Sequence, residues 1–268
     1  MDGKKIAAAK AANTKDIQLF LLDMDGTVYV GDKLIDGAKE KIAEIKAKGK
    51  KICFVTNNSS RAGGEYIQKL KKLGIEISRQ EIFTSGDAAA YYLNTYHKGK
   101  SVFLLGRNAL KQALEEEGVT FDENNPDLVL IGYDTELTYK NLCRATTFIM
   151  QGTPYFCTHP DINCPASPAY VPDVGSVVAL IEKSTGISPF AYCGKPYSPM
   201  AEALGGKFNL PKEKIAFIGD RLYTDIAFAN NNGFLAVLVL SGETNLETYA
   251  KSEIKAAIAL ESIAQLEV

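Results

Sequence analysis

Two aspartates placed two positions apart, Asp23 and Asp25, have the spacing in this sequence that most directly suggests chemistry. They follow the apolar run 19–22, and a run that ends abruptly in carboxylates is typical of a buried strand that opens onto a reactive loop. Carboxylates this close repel each other unless a cation lies between them, and oxygen ligands suit a hard ion such as Mg2+. Gly26 permits a sharp turn that brings backbone N–H groups close to an anion. The pattern predicts a loop that binds a metal ion beside an anionic group.

Two later apolar segments also end in polar or acidic side chains. Segment 51–55 leads into Thr56 and Asn57, and segment 214–218 leads, one residue later, into Asp220. In doubly wound sheets, ligands bind at the carboxyl ends of parallel strands. We therefore expect these side chains to lie at the same edge of a sheet as the paired aspartates.

The elements that must position these residues alternate between strands and helices, which predicts an α/β fold with a parallel sheet. Midway along the chain the alternation restarts as if a second sheet were being built, and the first pattern returns later. The sequence predicts a core formed by residues 1–86 and 189–268, with an α/β domain inserted at 87–188. Residues 1–16 carry no convincing core pattern and are interpreted as a loosely held lead-in.

The predicted elements follow from apolar periodicity and from turn residues. The predicted strands are 19–22, 51–56, 82–84, 101–105, 127–132, 154–158, 214–218 and 234–240. The predicted helices are 38–48, 64–73, 87–96, one that ends at 117, 139–150, 174–184 and 199–208, and a strand and a helix complete the chain.

Composition and charge give no evident electrostatic partner. The 268 residues include 30 basic and 32 acidic side chains, for a formal charge of −2. This balance gives no reason to expect nucleic acid or an anionic membrane as a partner, so a small substrate is favoured. We expect no signal peptide and no transmembrane helix, and five scattered cysteines without a C-x-x-C pair are typical of reduced thiols. These features together predict a cytoplasmic protein.

Four motifs occur in one order along the chain. They are D-x-D-G-T at residues 23–27, a threonine after a strand at Thr56, a lysine before a helix at Lys195, and G-D-x-x-x-x-D at residues 219–225. The set resembles the haloacid dehalogenase superfamily, and the fuller strings are most similar to its NagD-like, 4-nitrophenylphosphatase-like branch. The resemblance extends over most of the chain and implies a phosphatase.

The resemblance implies distinct roles for the four aspartates. Asp23 is expected to be the nucleophile that forms an aspartyl-phosphate, and Asp25 the acid and base that serves the leaving group and then water. Mg2+ is expected to bind the Asp23 carboxylate, the Asp25 backbone carbonyl and Asp220, with Asp225 supporting the site. A second aspartate two positions after the nucleophile also favours phosphoryl transfer over cleavage of a carbon–halogen bond.

The resemblance further implies how the phosphoryl group is held. Thr56 and the backbone N–H groups near Gly26 and Asn57 are expected to bind its oxygens. Lys195 is expected to add positive charge beside both the nucleophile and the phosphate. Thr56 and Lys195 are therefore counted with the catalytic residues.

The spacing of the motifs leaves room for one inserted domain. A short connection separates Asp25 from Thr56, whereas about half of the chain separates Thr56 from Lys195. A domain in the second interval resembles the larger α/β cap of the family. This implies a Rossmann-like parallel-sheet core with a cap that limits the substrate to a small phosphorylated metabolite, such as a sugar phosphate, or to para-nitrophenyl phosphate.

One loop of the cap is expected to contact the substrate. Residues 158–163 match a loop that usually reads T-N-P-D in relatives, with His159 in place of the asparagine. The match implies substrate contacts by His159, Asp161 and Asn163. Caps of this kind often pack against each other in relatives, which implies a homodimer formed through the cap.

Other interpretations remain open at this point. On its own, Lys195 is typical of a solvated loop residue, Asp225 could pair with Arg221 on a helical turn, and His159 is interpreted as a surface or turn residue. A mutase would keep the covalent intermediate on Asp23 but pass the phosphoryl group to a second hydroxyl. A sensor of phosphate ligands would keep the fold without turnover, although binding alone does not need both a nucleophile and an acid.

Overall fold

The structure is a computed structural model and describes residues 14–61, 63–164 and 169–268. The chain divides into two compact units. The first contains the described residues up to Val55 together with Ile67–Phe83 and Leu204–Val268. The second contains Thr56–Tyr66 and Thr84–Ala203. Most of the predicted lead-in at residues 1–16 lies outside the described residues, and the domain boundaries at 86/87 and 188/189 stay a prediction.

A six-stranded sheet carries most of the first unit. Its strand order is β14-β13-β12-β1-β4-β5, and β1 pairs in parallel with both β12 and β4. β12, β13 and β14 also pair in parallel. The strands are β1 (Leu19–Leu22), β4 (Lys51–Thr56), β5 (Ile82–Thr84), β12 (Ile215–Gly219), β13 (Leu235–Val239) and β14 (Ile258–Leu260). β1 and β12 are buried throughout, as expected for strands covered on both faces.

The order of these strands creates a switch point beside β1. The chain begins the sheet at β1, continues to β4 and β5 on one side, and later returns to β12, β13 and β14 on the other side. Loops that follow neighbouring strands therefore leave in opposite directions between β1 and β12, which opens a crevice at their carboxyl ends. Asp23 follows β1 and Asp220 follows β12, so both acids lie at this crevice.

A second parallel sheet lies in the second unit, with strand order β7-β6-β8-β9. Its strands are β6 (Ser101–Leu105), β7 (Thr120–Phe121), β8 (Leu128–Ile131) and β9 (Tyr155–Cys157). Apolar side chains from β6, β8 and β9 pack with those of two helices into one buried core that includes Phe103, Tyr155 and Val178. Two short antiparallel pairs complete the strands: β2 (Tyr29–Val30) with β3 (Lys33–Leu34), and β10 (Asn163–Cys164) with β11 (Val171–Pro172).

Helices connect the strands of both sheets. They are α1 (Ala38–Ala47), α2 (Gly63–Lys72), α3 (Ser85–Tyr96), α4 (Asn108–Glu116), α5 (Tyr139–Met150), α6 (Val174–Thr185), α7 (Ser198–Phe208), α8 (Ala227–Asn232) and α9 (Leu246–Lys251). Among the helices of the described residues, none combines the length and the apolar character that crossing a bilayer requires.

The predicted α/β fold with parallel sheets is confirmed, and the long strands and helices lie within a few residues of their predicted bounds. The sequence did not predict the two-residue strands, because two residues are too few for a periodic pattern. It also missed the π-helical turn at Leu222–Ile226 that leads into α8. The last predicted helix is a short 3-10 turn at Ile263–Gln265.

Candidate active site

Three aspartates of the first unit meet at the crevice. Asp23, Asp220 and Asp225 each offer a carboxylate oxygen, and these oxygens lie within 4.8 Å of one another. We call this group the acidic cluster. The backbone N–H of Asp23 donates to the carbonyl of Ile218 at 2.9 Å, which ties the start of the Asp23 loop to β12. The predicted gathering of Asp23 and Asp220 is therefore confirmed.

Glycines allow the backbone to approach these carboxylates. A Cβ at Gly26 or at Gly242 would collide with the carboxyl group of Asp220. Gly26 also has a φ of 86°, a left-handed conformation that side chains rarely adopt. A Cβ at Gly219 would collide in the same way with the carboxyl group of Asp225. The acidic cluster is thus built where only glycine leaves enough room.

The hydrogen bonds of the acidic cluster leave one buried oxygen unused. Asp225 Oδ2 accepts from the backbone N–H groups of Asp220 at 3.2 Å and Arg221 at 3.0 Å, so Asp225 orders the loop after β12. Asp220 Oδ2 accepts from the N–H of Glu243 at 2.6 Å. Asp220 Oδ1 is buried and has no hydrogen-bond partner. Because an unsatisfied buried carboxylate oxygen is costly, this oxygen is suited to a ligand that brings positive charge.

Burial and like charges act together on Asp220. Burial raises the pKa of Asp220 well above its ordinary value, and the charges of Asp225 and Asp23 raise it further. The cluster therefore favours an added proton or cation over three bare carboxylates. Oxygen-only ligands of this kind fit a hard divalent cation, so the residues present fit the metal that the resemblance implies.

Asp25 lies on a tight turn next to the acidic cluster in sequence. The backbone N–H of Gly26 donates to the carbonyl of Tyr29 at 2.7 Å and closes this turn. Asp25 is accessible to solvent, but the surrounding protein still desolvates its carboxyl group and raises its pKa. The positive charges of Lys69 and Arg221 partly offset this increase. A carboxyl group with a raised pKa is suited to donate and accept protons.

Thr56 ends β4 with its hydroxyl held in a defined orientation. Its Oγ1 accepts from the N–H of Asn58 at 3.2 Å and also hydrogen-bonds the phenol of Tyr66. Burial raises the pKa of Tyr66, and the hydrogen bond with Thr56 lowers it, as a threonine hydroxyl that donates to the phenol oxygen would. Thr56 therefore lies at the carboxyl end of β4 with a hydroxyl that already has hydrogen-bond partners, and its binding of a phosphoryl oxygen stays a prediction.

Lys195 and Asn57, both in the second unit, are joined by backbone and side-chain hydrogen bonds. Asn57 Oδ1 accepts from the N–H of Lys195 at 2.8 Å, and Asn57 Nδ2 donates to the carbonyl of Lys195 at 2.9 Å. Lys195 is buried, with 2% of its surface exposed, so the interpretation as a solvated loop residue is wrong. A lysine is seldom buried to this extent without a specific environment.

The predicted substrate-contacting residues lie in two different environments. His159 is fully buried, and Asp161 is buried beside it. The interpretation of His159 as a surface or turn residue is therefore wrong, because neighbouring polar side chains satisfy its ring. Asn163 is exposed in β10, opposite Pro172 of β11. Direct substrate contact by these residues stays a prediction.

His159 is held by polar partners on both sides of its ring. His159 Nε2 lies 2.9 Å from Asp173 Oδ1, and His159 Nδ1 lies 3.0 Å from Thr158 Oγ1. Burial alone would lower the pKa of His159, but the charge and hydrogen bond of Asp173 and the charge of Asp161 raise it above its ordinary value, against an opposing contribution from Lys195. We call His159, Asp161, Asp173 and Lys195 the mixed cluster, because it contains two acids and two bases.

The sequence prediction missed two groups of residues around these clusters. Ser241 donates to the carbonyl of Gly26 at 2.7 Å, and Glu243 contacts Asp220 as described above. The available signal was the run S-G-E-T directly after the apolar segment that forms β13. Asp173 was also missed, although an aspartate just before an apolar helical run is a recognisable helix cap, and it does cap α6.

Two family models match the chain. The model described as haloacid dehalogenase-like hydrolase matches residues 20–120, and the HAD-hydrolase-like model matches residues 192–266. An acid sugar phosphatase of Staphylococcus aureus strain MRSA252 is 33% identical over 255 residues, which cover 91% of this chain and 98% of that protein.

Solved structures match over nearly the whole chain. The crystal structure of 4-nitrophenylphosphatase from Thermotoga maritima has a TM-score of 0.91 and 40% identity, and the match covers 94% of this chain and 96% of that one. NagD from the E. coli K-12 strain has a TM-score of 0.87 and 28% identity, and the match covers 94% of this chain and 98% of that one.

Proposed function

The chain belongs to the haloacid dehalogenase-like hydrolases and is a phosphatase, and from this premise we propose that it hydrolyses small phosphate monoesters such as sugar phosphates. The name of the Staphylococcus aureus relative and that of the Thermotoga maritima relative support a sugar phosphate and a nitrophenyl phosphate as substrates. The observation that carries the mechanistic proposal is the unused buried oxygen of Asp220 within a cluster of three carboxylates.

Asp23 is the proposed nucleophile. One of its carboxylate oxygens attacks phosphorus, the bond from phosphorus to the ester oxygen breaks, and an aspartyl-phosphate forms on Asp23. Asp25 gives its proton to the departing alkoxide, so the leaving group is an alcohol. Asp25 then takes a proton from water as the water oxygen attacks phosphorus, which releases inorganic phosphate and restores the Asp23 carboxylate.

The acidic cluster supplies the ligands for Mg2+ in this proposal. Asp23, Asp220 and the Asp25 backbone carbonyl would hold the ion, and Asp225 would keep the loop of Asp220 in place. When bound, Mg2+ neutralises negative charge on the carboxylates and on the phosphate, so that an anionic nucleophile can approach an anionic substrate. The Thr56 hydroxyl and backbone N–H groups near Gly26 and Asn57 would bind phosphoryl oxygens, and Lys195 would add positive charge.

A screen of phosphate monoesters with the purified protein tests this function. Para-nitrophenyl phosphate and a panel of sugar phosphates would be incubated with Mg2+, and release of inorganic phosphate would be measured with and without EDTA. We expect turnover that EDTA abolishes. Absence of release from every ester by folded, Mg2+-loaded protein would contradict the proposal and favour a sensor, and formation of an isomeric ester without phosphate release would favour a mutase.

Asp23→Asn tests the nucleophile within the same screen. Because asparagine keeps the size of the side chain but cannot form the acyl phosphate, we expect kcat to fall roughly 10^4-fold or more. Asp32→Asn on the exposed turn between β2 and β3 is the matched control and should leave kcat unchanged. A wild-type rate in Asp23→Asn would reject the covalent mechanism.

We also propose where the enzyme acts, what limits its substrate and how two copies associate. We propose a cytoplasmic enzyme that acts on a small phosphorylated metabolite and not on nucleic acid or at a membrane. A cap at residues 87–188 would restrict the substrate, with Asp161 and Asn163 near it, and two copies would associate through their caps. Size-exclusion chromatography with light scattering tests the last point, since a monomer would contradict it.

A further inference from the structure

The side chain of Asn57 hydrogen-bonds both backbone polar groups of Lys195, its N–H and its carbonyl. Its Oδ1 accepts the Lys195 N–H at 2.8 Å, and its Nδ2 donates to the Lys195 carbonyl at 2.9 Å. A carboxamide bonded in this way replaces the pairing that a neighbouring strand would provide. These two hydrogen bonds fix the position and the orientation of the Lys195 backbone.

Asp161 determines the orientation of this carboxamide. Asp161 Oδ1 accepts from Asn57 Nδ2 at 3.1 Å, so both N–H bonds of the Asn57 amide have acceptors. A carboxylate accepts hydrogen bonds and does not donate them when ionised, so a flipped amide would place Asn57 Oδ1 against Asp161 and against the Lys195 carbonyl. The pair therefore has one favourable arrangement.

The surroundings leave little room for Lys195 to shift. Asn57 is 6% exposed and Asp161 is 8% exposed. A Cβ at Gly194 would lie 2.6 Å from Asn57 Oδ1 and 2.8 Å from the carbonyl of Thr158, so only glycine permits this approach. Buried polar groups in a tightly packed region hold their hydrogen bonds, because water cannot replace a partner that moves away.

The start of α6 holds Asp161 in turn. The N–H of Gly175 donates to the carbonyl of Asp161 at 2.8 Å, and a Cβ at Gly175 would collide with the carbonyl of Pro160. Two residues before Gly175, Asp173 caps α6 and bonds His159. The loop that contains His159 and Asp161 is thus attached to a helix end by both backbone and side chains.

We propose that the side chains of Asn57 and Asp161 position Lys195, and that these two side chains affect catalysis by holding its backbone. This inference rests on the proposed function, in which Lys195 adds positive charge to the phosphoryl group. A lysine ammonium stands on a flexible four-carbon stem, so the protein controls its place mainly through the backbone position and the packing of the stem. Because both Asn57 Nδ2 donors are already used, its side chain is a poor ligand for phosphate.

A double-mutant cycle separates this role from a structural one. Asn57→Ala and Lys195→Ala would be measured singly and together for kcat, KM and the Kd of inorganic phosphate in the presence of Mg2+. A misplaced catalytic group costs about 10²-fold, so we expect kcat/KM to fall about 10²-fold in Asn57→Ala alone and less than about 3-fold when Lys195 is already alanine. Phosphate affinity should follow the same pattern.

Matched variants control for stability. Asn232 is as buried as Asn57 and donates to the carbonyl of Phe228 within its own helix, so Asn232→Ala should lose stability without loss of kcat/KM. Asp161→Asn keeps the size of the side chain but introduces an amide that can present N–H groups to Asn57. We expect it to weaken turnover in the same direction as Asn57→Ala, and again only while Lys195 is present.

The outcomes distinguish the two proposals. Equal losses from Asn57→Ala with and without Lys195 would overturn the positioning role and leave the phosphatase intact. A wild-type protein that releases no phosphate would reject the proposed function, while the cycle on inorganic phosphate binding would still decide whether Asn57 acts through Lys195. Non-additivity in that cycle supports the positioning role, and additivity overturns it.

Discussion

The acidic cluster and the mixed cluster contain similar ligands but balance their charge differently. Each brings three potential metal-ligating groups within 4.8 Å of one another: Asp23, Asp220 and Asp225 in the first unit, and His159, Asp161 and Asp173 in the second. In the mixed cluster, Asp173 and Asp161 raise the pKa of His159 and so favour its charged form, and Lys195 adds a second positive charge against the two carboxylates. The acidic cluster has no base among its three members, and the charge of Arg221 lowers the pKa of Asp220 by less than burial, Asp225 and Asp23 raise it.

The two clusters also differ in how fully their polar atoms are hydrogen-bonded. The two ring nitrogens of His159 have polar partners at 2.9 and 3.0 Å, whereas Asp220 Oδ1 is buried without one. A cluster that satisfies its own charges stabilises a fold, and one that does not is suited to bind an ion from outside. Charge balance, more than burial or ligand type, therefore distinguishes the mixed cluster from the acidic cluster, which is the proposed metal site.

Removing one acid from the mixed cluster should have the largest effect on stability. Asp173→Asn keeps a good helix cap for α6 but leaves the buried His159 without its carboxylate. Breaking a buried ion pair from one side costs about 3–5 kcal/mol, so we expect a loss of this size in urea unfolding near neutral pH. An unchanged midpoint would mean that the mixed cluster does not stabilise the fold; Asp32→Asn is the exposed control.

Metal should act on the acidic cluster alone. Mg2+ at about 100 times its Kd should raise the free energy of unfolding of the wild type by about 2.7 kcal/mol, and EDTA should reverse the change. Asp220→Asn should lose this response. Because Asp173→Asn changes only the mixed cluster, its response to Mg2+ should persist, and equal sensitivity of both variants would erase the distinction between the clusters.

Without metal, removing an acid from the acidic cluster should raise the free energy of unfolding, whereas removing one from the mixed cluster should lower it. Asp220→Asn takes away one of three neighbouring carboxylates, and Coulomb repulsion between charges about 4 Å apart is worth about 1 kcal/mol even in water. We expect the variant to be more stable than the wild type by about 1 kcal/mol in EDTA, as measured by urea unfolding. A less stable variant would indicate that the three acids are not repelling one another.

The smallest effect concerns the pH dependence of the mixed cluster. The pKa of His159 is raised in the folded protein, so its contribution to stability is present below the ordinary histidine pKa and is lost as pH rises through the folded value. Thermal unfolding would be measured at about pH 6 and about pH 9. The Tm of the wild type should exceed that of His159→Asn by less at the higher pH. A constant difference would contradict a protonated His159.

Much of the fold could be predicted from the sequence because its signals are local. Apolar runs such as 19–22 and 214–218 specify buried strands, and helical spacing specifies α1, whose Ala38, Ile42 and Ile45 face the interior. The haloacid dehalogenase-like motifs placed Asp23 and Asp220 after two strands that proved to be neighbours. Local periodicity depends on nearby residues, so one chain is enough to see it.

Only the tertiary structure determines which distant groups form ion pairs or hydrogen bonds with each other. Asn57 and Lys195 are 138 positions apart, and the buried His159 is 14 positions from its partner Asp173 at the start of α6. The loop sequences around Lys195 and His159 are equally compatible with a solvated lysine and a surface histidine. For this reason the sequence predicted both side chains to be exposed. Sheet order and packing determine which polar groups meet and how much water is excluded, and these quantities are not encoded in any single stretch of sequence.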